Sequence, residues 1–319
     1  MPSQPPLPPP DASELVVGAP PPSAVDLVAG PPPSTQLGAP ATMPWIGADP
    51  GVPFPGPAPV PVVPGRARPW WGIGDVLLGV PAILLAALIG SIIGLIVDVA
   101  AGGSLEDTLD STSGGAVAPS ALLVFGLLAQ QAGQGVWPII VSKWKGLGVV
   151  ADWRLQFHWS DIFIGLGAAL VAGGLAALAA FGAEALVDLA DQSEADNTQF
   201  LRDAQDTLWF WPLIAAVVIG APLTEELFFR GLCLRAFEKR GGPILAVIGS
   251  TLLFTLPHFA GGTVAGTVVL FAAIGSVGLV LAVVTLLVGR LWPAIFAHVV
   301  FNAMGVLQAI GAFGETAPT

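Results

Sequence analysis

From Trp70 onward the chain is a succession of long apolar runs, and this constrains its fold more than any other feature. A bilayer-crossing helix needs about 20 predominantly apolar residues. Seven such runs are read, at 73–97, 116–141, 161–187, 208–236, 243–260, 264–288 and 292–312. The second is less apolar because it holds Gln130, Gln131 and Gln134, and the fifth is short. Only 10% of the 319 residues are charged and 54% are hydrophobic. A soluble domain carries about 25% charged residues, so these could not coat a water-facing globule. The expected fold is all-α, a polytopic transmembrane bundle of about seven spans occupying 70–319. With one cysteine, Cys233, neither an internal disulfide nor a multi-thiolate metal site is available within one chain.

Residues 1–69 are of another kind. They hold 22 of the 31 prolines, with triplets at 8–10, 20–22 and 31–33, and no Lys or Arg before Arg66. Such a segment lacks the apolar content to form a core and is expected to be a disordered tail of polyproline II character. The first apolar run begins too late and stays apolar too long for a signal peptide, so it reads as a retained span.

Charge placement is the topology signal. Arg66 and Arg68 precede the first span; Lys143, Lys145 and Arg154 follow the second. Arg235, Lys239 and Arg240 lie between the fourth and fifth spans, and Arg290 lies between the sixth and seventh. With seven spans all of these fall on one side. The opposite loops carry Glu106, Asp107 and Asp110, then Asp188, Asp191, Glu194, Asp196, Asp203 and Asp206, with Arg202 as their one base. Basic residues mark the cytoplasmic face. The expectation is a multi-pass protein of the cell membrane, with its N-terminus cytoplasmic and its C-terminus outside. The net charge of −11 is thus a sum over two sides and a tail, not one acidic surface. Trp70, Trp71, Trp137, Trp144, Trp159, Trp209, Trp211 and Trp292 fall near span ends, as an interfacial aromatic belt would. His158, beside Trp159, reads as interfacial too. Gly90-x-x-x-Gly94 permits a close helix contact.

Ionisable residues inside a span cost about 2.5–3.5 kcal/mol each and mark functional sites by default. The fourth span carries Glu225, Glu226 and Arg230; the fifth ends Phe254-Thr-Leu-Pro-His258; the seventh holds His298-Val-Val-Phe-Asn302. Glu226 and Arg230 are i,i+4 with the acid first, the favourable order for an ion pair. Glu225 lies about 100° around the helix from Glu226 and faces a different neighbour. Glu226–Arg230 therefore reads as a supporting pair and Glu225 as the working carboxylate, with Phe254 as a wall beside His258. Glu225 and His258 each lie about 16 residues from the turn at Gly241-Gly242, which at about 1.5 Å per residue places them at similar depth. A carboxylate beside an imidazole can deprotonate water. A second imidazole and an amide can donate to a developing oxyanion. Together these are the parts of peptide-bond hydrolysis without a covalent intermediate. Cys233 reads as a small packing residue.

Three motifs in order, Glu225-Glu226-x-x-x-Arg230, Phe254-x-x-x-His258 and His298-x-x-x-Asn302, with Phe229-Arg230-Gly231 inside the first, resemble those of the CPBP family. These are the CAAX-processing and bacteriocin-processing, or Abi-type, intramembrane proteases. The resemblance covers about 208–312. It implies a metal-independent glutamic endopeptidase acting on a membrane-tethered protein or peptide in the bilayer, with no cofactor and no nucleic-acid partner. It further implies that Glu225 and His258 activate water and that His298 and Asn302 form the oxyanion hole. Glu226 and Arg230 would support the first motif. Two other readings stay open at this level. One is a zinc protease liganded by Glu225, His258 and His298, although the sequence lacks His-Glu-x-x-His. The other is a non-catalytic peptide-binding or bacteriocin-immunity protein. A transporter is disfavoured, since no inverted repeat or Gly-broken helix pair is seen.

Overall fold

A computed structural model describes residues 69–105, 120–186, 198–259 and 263–311. The proline-rich tail lies outside the described residues except for Pro69, as do Arg66, Arg68 and the acids at 106, 107, 110, 188, 191, 194 and 196. Every regular element among the described residues is helical.

Helix α1 (Ile73–Ala100) starts where Asp75 reaches back to accept from the Gly72 N–H at 2.9 Å. Near its other end Asp98 takes the Ala121 and Leu122 N–H groups, each at 2.9 Å, so it caps the helix that follows. That helix, α2 (Ala121–Lys145), folds back along α1. The glycines permit the approach: a Cβ on Gly90 would strike the Phe125 carbonyl, and one on Gly94 the Ala121 carbonyl. The Gly-x-x-x-Gly spacing is thus a real helix contact.

A short turn, α3 (Val149–Asp152), leads to α4 (Ser160–Leu186). The buried side of α4 is a row of alanines, Ala168, Ala169, Ala172 and Ala176, which meets Val277, Leu281, Ala294 and Ala297. Small residues let helix backbones close up where lipid supplies no hydrophobic drive between helices. After the single turn α5 (Gln199–Asp203), one helical run extends from Phe210 to His258. It divides at Gly241 and Gly242, whose φ of 76° at Gly242 is a left-handed conformation that suits glycine. The two arms, α6 (210–240) and α7 (243–258), lie antiparallel: Ser250 Oγ donates to the Phe229 carbonyl at 2.9 Å. Helix α8 (Val264–Val288) starts at Thr263, whose hydroxyl accepts from Gly266 N, and stops at Gly289 with φ 72°. Helix α9 (Trp292–Ala309) closes the described chain.

The expected count of about seven spans is not confirmed. Five helices among the described residues are long and apolar enough to cross a membrane: Ile73–Ala100, Ser160–Leu186, Phe210–His258, Val264–Val288 and Trp292–Ala309. Helix α2 has the length, but its three glutamines lower its hydropathy and keep it out of that set. The expected fourth and fifth spans are one 49-residue run bent back at its glycine pair.

One end of the bundle gathers the basic residues. Lys145 pairs with Asp75 at 2.6 Å and Arg290 with Asp161 at 2.5 Å. The Lys239 ammonium lies over the Trp71 ring and donates to the Trp71 carbonyl at 3.2 Å. Trp71 packs at a tilt against the buried Trp153, and the Leu291 N–H donates to the Arg154 carbonyl. The tryptophans separate into two groups. Trp70, Trp144, Trp159 and Trp211 are exposed, as a belt requires, whereas Trp71 is buried in the core with Phe228, Phe229, Leu232, Cys233 and Phe254.

Candidate active site in the α6–α9 half

The site begins with two π-helical turns in α6, at Ala216–Gly220 and Glu226–Cys233. π turns recur at functional sites because they break the regular hydrogen-bond ladder. In the first, the Ala221 N–H bonds the Ala216 carbonyl, five residues back. The next such donor to the Val217 carbonyl would be Pro222, which has no N–H. The side chain of Asn302 fills that role, its Nδ2 donating to Val217 O at 2.8 Å. Gln131 of α2 donates to Ala216 O at 3.1 Å. Gln131, one of the three glutamines that made α2 less apolar, therefore serves the irregular backbone of α6.

The second π turn carries the charges. Glu226 and Arg230 are fully buried and joined through Oε1 and Nη1 at 2.8 Å. Arg230 Nη2 donates to the Gly278 carbonyl of α8 at 3.0 Å, and its guanidinium lies over the Phe254 ring, 4.2 Å from the centroid. The same Glu226 Oε1 lies 2.9 Å from His298 Nδ1. A carboxylate only accepts, so Nδ1 carries the proton and Nε2 is the free nitrogen. That Nε2 points toward Glu225, with Oε2 at 3.8 Å. The gap is too long for a hydrogen bond and suits an intervening small group. Glu225 keeps 13% of its side chain accessible, against none for Glu226.

His258 is held by its own helix. Its Nδ1 lies 2.9 Å from the Phe254 carbonyl, one turn earlier, so this nitrogen donates and Nε2 is again free. The Phe254 ring packs against both imidazoles, 5.0 Å from His258 and 5.6 Å from His298. Gly278 leaves room for it, since a Cβ there would come 2.9 Å from the ring.

The structure thus links Glu225, Glu226, Arg230, Phe254 and His298 in one chain of contacts, with His258 joined to it through Phe254. No hydrogen bond or ion pair joins Glu225 to His258 among the described residues. Asn302 shares a face with His298 but spends one N–H on Val217. The sequence reading missed the Glu226–His298 bond: i,i+4 spacing finds pairs within a helix and is blind to pairs between helices. It also missed Gly278 and Gln131; the only sign of the latter was a glutamine in an apolar run. His158 is exposed at the start of α4, and Cys233 is buried in the core. Among the described residues, no three His, Cys, Asp or Glu side chains are grouped so as to hold a metal ion.

Residues 207–304 match the family model described as type II CAAX prenyl endopeptidase Rce1-like. No curated protein and no solved structure matches the chain. The matched segment contains every residue of the polar cluster, from Glu225 to Asn302. The last third of the chain thus matches a Rce1-like domain of the CAAX-type membrane protease family.

Proposed function

We propose that this protein is a glutamic intramembrane endopeptidase that hydrolyses a peptide bond of a membrane-associated protein or peptide. The observation that carries the reading is the placement of Glu225. It is a partly accessible carboxylate facing an imidazole, on a helix whose neighbouring charge pair is fully buried. Glu225 and the free Nε2 of His258 are the groups assigned to the attacking water. The water oxygen adds to the scissile carbonyl carbon as its proton passes to Glu225. The same proton then goes to the leaving amine nitrogen as the C–N bond breaks. His298 is assigned to the oxyanion. With Nδ1–H committed to Glu226, donation from Nε2 requires the imidazolium, and Glu226 and Glu225 supply the negative charge on either side of it. The second N–H of Asn302 Nδ2 is the other donor assigned to the oxyanion.

The protein is placed in the cell membrane with its basic end, carrying Lys145, Arg154, Lys239 and Arg290, on the cytoplasmic side. Cleavage of membrane-tethered peptides by the purified protein in detergent tests the function. Wild type is expected to cleave and Glu225→Ala to be inactive; activity retained in Glu225→Ala sinks the mechanism. Stoichiometric zinc, with activity lost to a chelator and restored by zinc, would favour a metalloprotease instead. Biological function retained in Glu225→Gln would favour a non-catalytic peptide-binding role.

A further inference from the structure

At the basic end, two guanidinium groups, Arg154 and Arg235, are poorly satisfied. Lys145 and Arg290 each hold an aspartate within 2.6 Å. Arg235 is 5% exposed, and its Nε and Nη2 are buried with no hydrogen-bond partner. Its one ionic contact is a long 3.5 Å approach of Nη1 to Glu238, whose side chain is half-buried. Arg235 lies one turn beyond Gly231, and a Cβ on Gly231 would sit 3.6 Å from the Trp153 ring, so this face of α6 looks onto the Trp153–Arg154 segment. Arg154 stands within electrostatic reach of Arg235, and the interaction is repulsive. Arg154 has no carboxylate within 4.0 Å among the described residues. It is also the one non-glycine described residue with positive φ, at 50°, so its backbone is held in a conformation that costs energy.

The acids nearby are committed elsewhere. Asp152 accepts from Ser142 Oγ at 2.5 Å and from the Leu147 and Gly148 N–H groups. Asp161 is taken by Arg290. The indole N–H of Trp153, fully buried, also has no acceptor. The region therefore has more buried donors and positive charge than its one half-buried acceptor, Glu238, can satisfy. Burying a guanidinium without its hydrogen bonds costs several kcal/mol. A tetrahedral dianionic or monoanionic oxygen group satisfies fork-shaped guanidinium donors from two sides. Basic pockets between spans near the membrane surface suit lipid headgroups.

We propose that Arg154 and Arg235 form a binding site for a phosphate group, carried by an anionic phospholipid headgroup. The site is distinct from the Glu225 cluster: Arg235 lies ten residues beyond Glu225 in α6, about 15 Å along the helix.

The test uses the full-length protein in detergent, with native mass spectrometry and tryptophan-fluorescence melting. Phosphatidylglycerol, phosphatidylcholine and inorganic phosphate are added separately. Phosphatidylglycerol is expected to be retained as one tightly held lipid and to raise the melting temperature; phosphatidylcholine is expected to do neither. Arg154→Gln is expected to weaken phosphatidylglycerol retention at least about tenfold, the loss of one charge-assisted bond. Lys143→Gln, an exposed cation of the same end, is expected to leave it unchanged. Arg235→Gln repeats the test, and if it fails to fold, the half-buried Arg154 carries it alone. Stabilisation by inorganic phosphate, lost in Arg154→Gln and without lipid retention, would keep the anion site but make free phosphate its source. Equal retention of both lipids, or wild-type retention by Arg154→Gln, overturns the proposal.

Discussion

Glu225 and Glu226 are adjacent in sequence and differ in almost everything else. Glu226 is sealed between Arg230 and His298, so its loss leaves a buried guanidinium without its counter-charge. Removing one partner of such a pair typically costs about 3–5 kcal/mol. Glu226→Ala is therefore expected to destabilise the fold by that order, measured by chemical unfolding in micelles, and Arg230→Met to cost a similar amount, because it strands the buried Glu226 carboxylate. Glu225 makes no hydrogen bond among the described residues, so Glu225→Gln should leave unfolding within about 0.5 kcal/mol of wild type. Its effect should fall on kcat, by about 10²–10⁴, the range for a positioned acid–base group. A large loss of stability in Glu225→Gln would show that the carboxylate is structural. Glu226→Gln separates the two roles of His298's neighbour, because it keeps an acceptor for Nδ1 and removes the charge that an imidazolium requires.

Helix α6 owes its shape to residues on other helices. Pro222 withholds a donor from Val217, and Asn302 of α9 supplies one. These two features should be energetically coupled. Asn302→Leu is expected to cost about 1–3 kcal/mol alone, the cost of stranding a buried carbonyl. In a Pro222→Ala background, where a backbone N–H can bond Val217, it should cost less, and a double-mutant cycle reads the difference. Strict additivity would refute the link. The α1–α2 pair makes a separate prediction. Gly94→Leu places a side chain where the Ala121 carbonyl lies, and overpacking of this kind costs about 1–3 kcal/mol. Gly102→Leu, at an exposed turn with φ 101°, tests backbone strain without packing.

At the level of the assembled bundle, the charged end and the buried cluster are parts of one arrangement. Ion pairs Lys145–Asp75 and Arg290–Asp161 tie the starts of α1 and α4 to the ends of α2 and α8, and α9 descends from there to bring His298 to Glu225. The single cysteine is buried, so a Cys233→Ala background allows clean labelling. Cysteine at Lys143 is expected to react with an impermeant thiol reagent only from the cytoplasmic side, and cysteine at Gly103, on the far end of α1, only from outside. Labelling with the opposite sidedness would invert the topology.

Hydropathy and composition sufficed for an all-helical membrane chain, because a bilayer demands long apolar helices whatever their partners. The cost of intramembrane charge was enough to single out Glu225, Glu226, Arg230, His258 and His298. Helical spacing was enough to pair Glu226 with Arg230, since that contact is local. How the fourth and fifth apolar runs are joined was beyond that kind of reading, because it depends on whether Gly241 and Gly242 bend a helix or end it. So was the bond from Glu226 to His298, which joins residues 72 positions apart. The placement of Asn302 against a carbonyl that Pro222 leaves open, and of Arg154 beside Arg235, is likewise set by helix packing. These contacts arise between surfaces that no periodicity records, and they emerge only when the helices are brought together.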